Sequence, residues 1–113
     1  MKLKSVSSLI FYVRDINKSA DFYEDLGFLA NKREEDYTSV RLNWFSIEFR
    51  PAKKDYSNIN SGEHNYINVE GIEEFHQHLG EKGLKPSEIT QDRGSKEFVL
   101  QDPDGYKLVF FER

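Results

Sequence analysis

Two side chains in this 113-residue chain have types suited to chemistry: His64 and Glu48. An imidazole ordinarily titrates near pH 6.5, so His64 suits work as a general base or as a ligand-binding ring. A strand histidine that simply hydrogen-bonds a neighbour is the plainer alternative. Arg41 and Arg50 could each grip a carboxylate or phosphate through two parallel hydrogen bonds, and either could instead pair with Glu48. Tyr37, Tyr66 and Phe111 could stack on a planar ligand, and Trp44 could line a cleft rim or cap the core. His76 and His78 do not chelate together, because residues two apart on a helix point to different sides. The sequence holds no glycine-rich phosphate loop and no Ser-His-Asp arrangement.

What positions these residues is a unit written twice. Val13-Arg14-Asp15-Ile16 opens a helical stretch that stops at Leu26-Gly27-Phe28, and Val69-Glu70-Gly71-Ile72 opens another that stops at Lys82-Gly83-Leu84. Val13 to Val69, Ile16 to Ile72 and Gly27 to Gly83 are each a shift of 56 positions, which aligns Ser8 with His64. Superposing the last hairpins aligns Glu48 with Val109. In the first half, Ser8 to Val13 reads as a strand, and Asp15 or Asn17 can cap the helix that follows. Ser19, Phe22, Tyr23 and Leu26 form one helical stripe. Strands are expected over 28–33, 37–42 and 45–50. In the second half, strands are expected over 64–69, weakly near 87–90, then over 96–101 and 106–111. Ile72, Phe75, His76 and Leu79 repeat the helical stripe. Asp102-Pro103-Asp104-Gly105 is a strong hairpin signal, with Pro fixing φ at the second turn position and Gly relieving strain at the fourth.

Each half is therefore strand, helix, three strands. The expected class is α+β, with helices on one face of each sheet. The halves run about 5–51 and 63–113 within a single domain, and the polar stretch Pro51 to Glu63 joins them. Four strands per half argue against a ferredoxin-like fold.

Alternation then sorts the strand residues. Leu9, Phe11, Val13, Val40, Leu42, Phe45, Ile47, Phe49, Ile67, Val69, Phe98, Leu100, Tyr106, Leu108 and Phe110 fall on the helix side. The other face carries Ser8, Ile10, Tyr12, Tyr37, Ser39, Arg41, Ser46, Glu48 and Arg50 in the first half. In the second it carries His64, Tyr66, Asn68, Glu97, Val99, Gln101, Lys107, Val109 and Phe111. A solvated sheet face would need no function. Aromatics beside Arg, Glu and His better suit a concave ligand site or a wet dimer interface.

Composition narrows the classes. The chain has no cysteine, which excludes disulfides, thiolate metal sites and a cysteine nucleophile, and fits a cytoplasmic setting. Net charge is −4 with both signs mixed, which gives no footprint for nucleic acid. No apolar run is long enough to cross a membrane, and the opening residues do not read as a signal peptide.

The doubled unit with its DPDG hairpin resembles the vicinal-oxygen-chelate superfamily, which includes glyoxalase I, bleomycin- and fosfomycin-resistance proteins and extradiol dioxygenases. The likeness is carried by FYVRDINKSADFYEDLGF (Phe11 to Phe28) and EFVLQDPDGYKLVFFE (Glu97 to Glu112). The resemblance implies two βαβββ modules forming curved mixed sheets with helices outside, and a cleft completed by a second chain. It also implies four metal-ligand positions, here Ser8, Glu48, His64 and Val109. Glu48 and His64 keep ligand types. Ser8 stands where His or Gln is usual, and Val109 where Glu is usual. Two protein ligands fall short of the three a catalytic zinc site uses, and one Glu is little charge for an octahedral ion.

The expected function is accordingly binding of a small molecule, aromatic or cationic, by a homodimer without a complete metal site and without a cofactor. Its contacts would be Tyr37, Arg41, Trp44, Glu48, His64, Tyr66 and Phe111. A metal-dependent lyase, isomerase or dioxygenase using Glu48 and His64 is one alternative. A non-catalytic homodimeric interaction module is the other.

Overall fold

The computed structural model describes residues 1–6, 8–60 and 62–113. The chain divides into two compact units, Met1–Asn60 and Ser61–Arg113. Unit 1 runs β1 (Ser8–Val13), α1 (Ile16–Leu26), β2 (Leu29–Arg33), β3 (Thr38–Leu42) and β4 (Phe45–Pro51). Unit 2 runs β5 (His64–Asn68), α2 (Ile72–Glu81), β6 (Thr90–Asp92), β7 (Ser95–Gln101) and β8 (Lys107–Glu112). Each unit holds one four-stranded sheet, in order β1-β4-β3-β2 and β5-β8-β7-β6. The first strand of each pairs in parallel with the last, and the other pairings are antiparallel. The α+β class and the doubled βαβββ order expected from the sequence are what the chain forms.

Local chemistry explains the helix ends. Asp15 caps α1 by accepting from the Lys18 amide at 3.1 Å, so of the two candidate caps it is Asp15 that serves. Gly27 closes α1 at φ 118°, a conformation an L side chain resists. Helix α2 has no capping side chain of its own, because Gly71 stands at its N-cap. Glu112 on β8 supplies the cap instead, accepting from Gly71 N at 3.0 Å and Ile72 N at 3.1 Å. Chain-remote caps of this kind leave no local sequence signal.

The cores follow the helical stripes. In unit 1, Tyr23 is fully buried and its ring meets Phe11, Phe22, Phe28 and Phe49 at centroid distances of 5.3–6.3 Å. In unit 2, Phe75 and His76 from α2 pack on Phe98 and Phe110, with Ile72 and Leu79 fully buried. Leu9, Leu42 and Phe45 were expected beneath a helix but are 36–38% exposed. They lie at the strand ends near the β3–β4 hairpin, away from the packed centre around Tyr23.

Two other differences have clear causes. The weak strand expected near 87–90 forms as β6 over Thr90–Asp92, because Arg93 and Gly94 both take positive φ and make a two-residue hairpin into β7. Ser87 still meets β7: its N donates to Val99 O at 2.9 Å, and Val99 N donates to the Ser87 hydroxyl oxygen at 2.8 Å. In β2 a bulge lies between Ala30 and Lys32. The DPDG turn forms as expected: Gly105 N donates to Asp102 O at 3.0 Å, and Asp102 Oδ1 accepts from Asp104 N and Tyr106 N. Among the described residues, no helix is long and apolar enough to cross a membrane.

Candidate functional site

In unit 1 the register places Ile10, Glu48 and Ser39 in one row across β1, β4 and β3, with Tyr12 beside Arg50 and Arg41 beside Ser46. This face is not uniformly solvated. Ser39 is 1% exposed, and its hydroxyl accepts from Asn31 Nδ2 at 2.9 Å across the β2 bulge. The Glu48 side chain is only 13% exposed. Both of its oxygens are engaged by Arg50: Nε donates to Oε2 at 2.8 Å and Nη2 donates to Oε1 at 3.3 Å. These hydrogen bonds, then the carboxylate charge, then a hydrogen bond with Tyr12 push the Arg50 pKa up. Of the pairings the sequence left open, Glu48 thus takes Arg50. Arg41 is exposed and donates to Asn43 O at 3.3 Å. Tyr37 is half-buried with Lys32 Nζ 5.9 Å from its ring centre. Trp44 stands 97% exposed at the β3–β4 hairpin tip, so within this chain it does not cap a core.

In unit 2 the corresponding rows are His64 with Lys107 and Gln101, Tyr66 with Val109 and Val99, and Asn68 with Phe111 and Glu97. His64 is exposed at the start of β5. Tyr66 and Phe111 meet edge to face at 6.1 Å, and the Arg113 guanidinium lies 5.4 Å from the Phe111 ring centre. Together with Asp92, Arg93, Ser95 and Glu97 they line a shallow open groove of about 480 Å³. The sequence reading found the two aromatics but not Asp92, Arg93, Ser95 or Arg113. The signal it lacked was the Arg93-Gly94 turn, which brings Asp92 and Ser95 to the groove. Val109, at the centre of the face, is 1% exposed.

A family model for the glyoxalase/bleomycin resistance protein/dioxygenase superfamily matches residues 5–110. The chain belongs to that superfamily. Bleomycin resistance proteins of Geobacillus stearothermophilus and Staphylococcus aureus are each 29% identical to it over 120 residues, covering 89% of this chain and 91% of theirs. Among solved structures, the oxidase ChaP-H1 aligns at TM-score 0.81 and 22% identity, covering 98% of this chain and 97% of its own. A putative glyoxalase family protein from Bacillus anthracis aligns at TM-score 0.80 and 18% identity, covering 100% and 98%. At these identities the structural matches establish the fold.

Superfamily membership raises the question of a metal, and the side chains present do not fit one. Val109 has no donor atom, is 1% exposed and lies in register between Tyr66 and Val99. Glu48 spends both oxygens on Arg50. Among the described residues, no three His, Asp or Glu side chains gather closely enough to hold an ion. Glu48 belongs to unit 1 and His64 to unit 2.

Proposed function

We propose that this superfamily member binds a small planar organic molecule on the sheet faces turned away from its helices, without a resident metal. The observation that carries this reading is the groove of unit 2. Tyr66 and Phe111 give it an aromatic wall, and Asp92 and Glu97 place carboxylates beside it. Such a wall contributes by stacking, and Asp92 and Glu97 can meet a cationic substituent while Arg93 and Arg113 balance their charge. Tyr37, Arg41, Trp44, Glu48 and His64 belong to the same proposal as contacts on the open faces or their rims. A homodimer that completes the cleft with a second chain, in the cytoplasm, is part of it. The likeness to bleomycin resistance proteins supports a binding role, and the donor-poor centre at Val109 weighs against metal chemistry.

Calorimetry with a panel of aromatic cations, run with and without chelator, tests the proposal. Saturable binding that ignores chelator is expected. Replacing Tyr66 or Phe111 by Ala should weaken it by about 1–3 kcal/mol, the usual range for losing a stacked or anchoring aromatic. Binding or turnover that disappears with chelator would overturn the metal-free reading. Binding untouched by both substitutions would overturn the groove.

A further inference from the structure

The open face of the first sheet carries its own cation. Across β1, β3 and β4, Glu48 is the single carboxylate on that face, and Arg50 occupies both its oxygens. The one carboxylate of the face is therefore engaged, while the guanidinium keeps donors to spare. A guanidinium has five N–H groups. Glu48 takes two, and even a third spent on Tyr12, its neighbour in register, leaves two. The Arg50 side chain is 47% exposed, so those two can be reached. Glu48 also holds the planar fork in one orientation, which lowers the entropy lost when a ligand is gripped. Arg41 and Lys32 add positive charge on β3 and β2. The acids Glu34, Glu35 and Asp36 belong to the exposed β2–β3 connection and not to the strands.

We propose that Arg50, oriented by Glu48 and Tyr12, is an anion-binding subsite that takes a carboxylate or phosphate-type group of a ligand. The idea rests on the reading that the open faces bind ligand. It needs nothing of the unit 2 groove, so each can fail alone.

The test is an NMR titration of the isotope-labelled full chain with benzoate, with inorganic phosphate and with benzylammonium. The Arg50 Nε–H signal and the backbone amides of Tyr12 and Glu48 should shift saturably with an anion, in the millimolar range ordinary for so small a probe. Response to benzoate alone identifies a carboxylate subsite, and response to phosphate alone a phosphate subsite. Benzylammonium should leave these signals unmoved. Arg50→Met should weaken anion binding about tenfold or more, and Arg50→Lys by less, since it keeps charge but loses the fork. Glu48→Gln, which removes the counter-charge but keeps an oxygen that accepts from the fork, should tighten it. No saturable shift with either anion overturns the proposal. So does an equal response to benzylammonium, undiminished binding by the Met variant, or unchanged or weaker binding by the Gln variant. Continued binding of aromatic cations at Tyr66 and Phe111 in any of those cases leaves the groove standing.

Discussion

At the residue scale, a packed aliphatic side chain stands where the superfamily resemblance implies a metal ligand. Val109 occupies the middle of its sheet face and is 1% exposed. Installing the superfamily's usual carboxylate there should not restore a metal site. Val109→Glu would bury an unpaired acid, which costs about 2–5 kcal/mol unless the group takes up a proton. Chemical denaturation should show that loss, and Val109→Ile should cost far less because it adds one methylene and no charge. A Glu variant as stable as the parent would mean the position is open to solvent or to a cation. The repeat singles out Glu48, His64 and Val109 in the sequence, because it pairs positions across the halves. That Glu48 lies in the grip of Arg50 was legible only as one of several options. Both residues project from one strand two positions apart, and only side-chain geometry decides the partner.

At the element scale the two helices look alike in sequence spacing but are fixed by different means. Asp15 caps α1 from the adjacent position, whereas Glu112 caps α2 from 40 positions away. Local pattern therefore revealed the first and not the second. Glu112→Ala should cost about 0.5–2 kcal/mol, the range for losing a helix cap. Hydrogen exchange should localise that loss to the first turn of α2. Exchange that rises evenly through unit 2 would instead point to a packing role. A second tie joins α2 to β7, where Glu73 accepts from Lys96. The hydrogen bond to Lys96 holds the Glu73 pKa below its ordinary value, and the same pair raises that of Lys96. A lowered carboxylate pKa gives stability that is present above its unfolded value and lost as pH falls through the folded one. The raised lysine gives stability present below its unfolded value and lost as pH rises through the folded one. Lys96→Met should therefore flatten the acid limb below about pH 4 and the alkaline limb above about pH 10. The effect is small because both groups are well exposed. Thermal melts across pH check it, and parallel profiles for variant and parent would remove the pair from the account.

At the scale of the whole chain, the repeat specified the architecture of both units but not how their surfaces differ. Gly27, Gly83 and the DPDG turn announced the element order, because left-handed helix ends and tight turns demand particular residues. Burial was less readable, since it depends on how far each helix reaches over its sheet. Leu9, Leu42, Trp44 and Phe45 stay 36–97% exposed at and beside the β3–β4 hairpin of unit 1, whereas among the described residues of unit 2 Tyr66 is the one large hydrophobic that is exposed. Leu9, Leu42 and Phe45 share one sheet face beside Trp44 at the hairpin tip, which exceeds scattered surface exposure and suits an interaction surface. A second copy of the chain is the partner that the proposed function already requires. Sedimentation should then give a dimer for the parent. Trp44→Ser combined with Phe45→Ser should shift it to monomer without lowering the helical signal of the monomer. Melting temperature should rise with protein concentration for the parent and not for the variant, because association stabilises by mass action. Binding of aromatic cations in the groove should weaken in the variant if the second chain completes the cleft. A parent that sediments as a monomer at all concentrations would separate the exposed hairpin from dimerisation, and ligand binding would then have to be built from one chain alone.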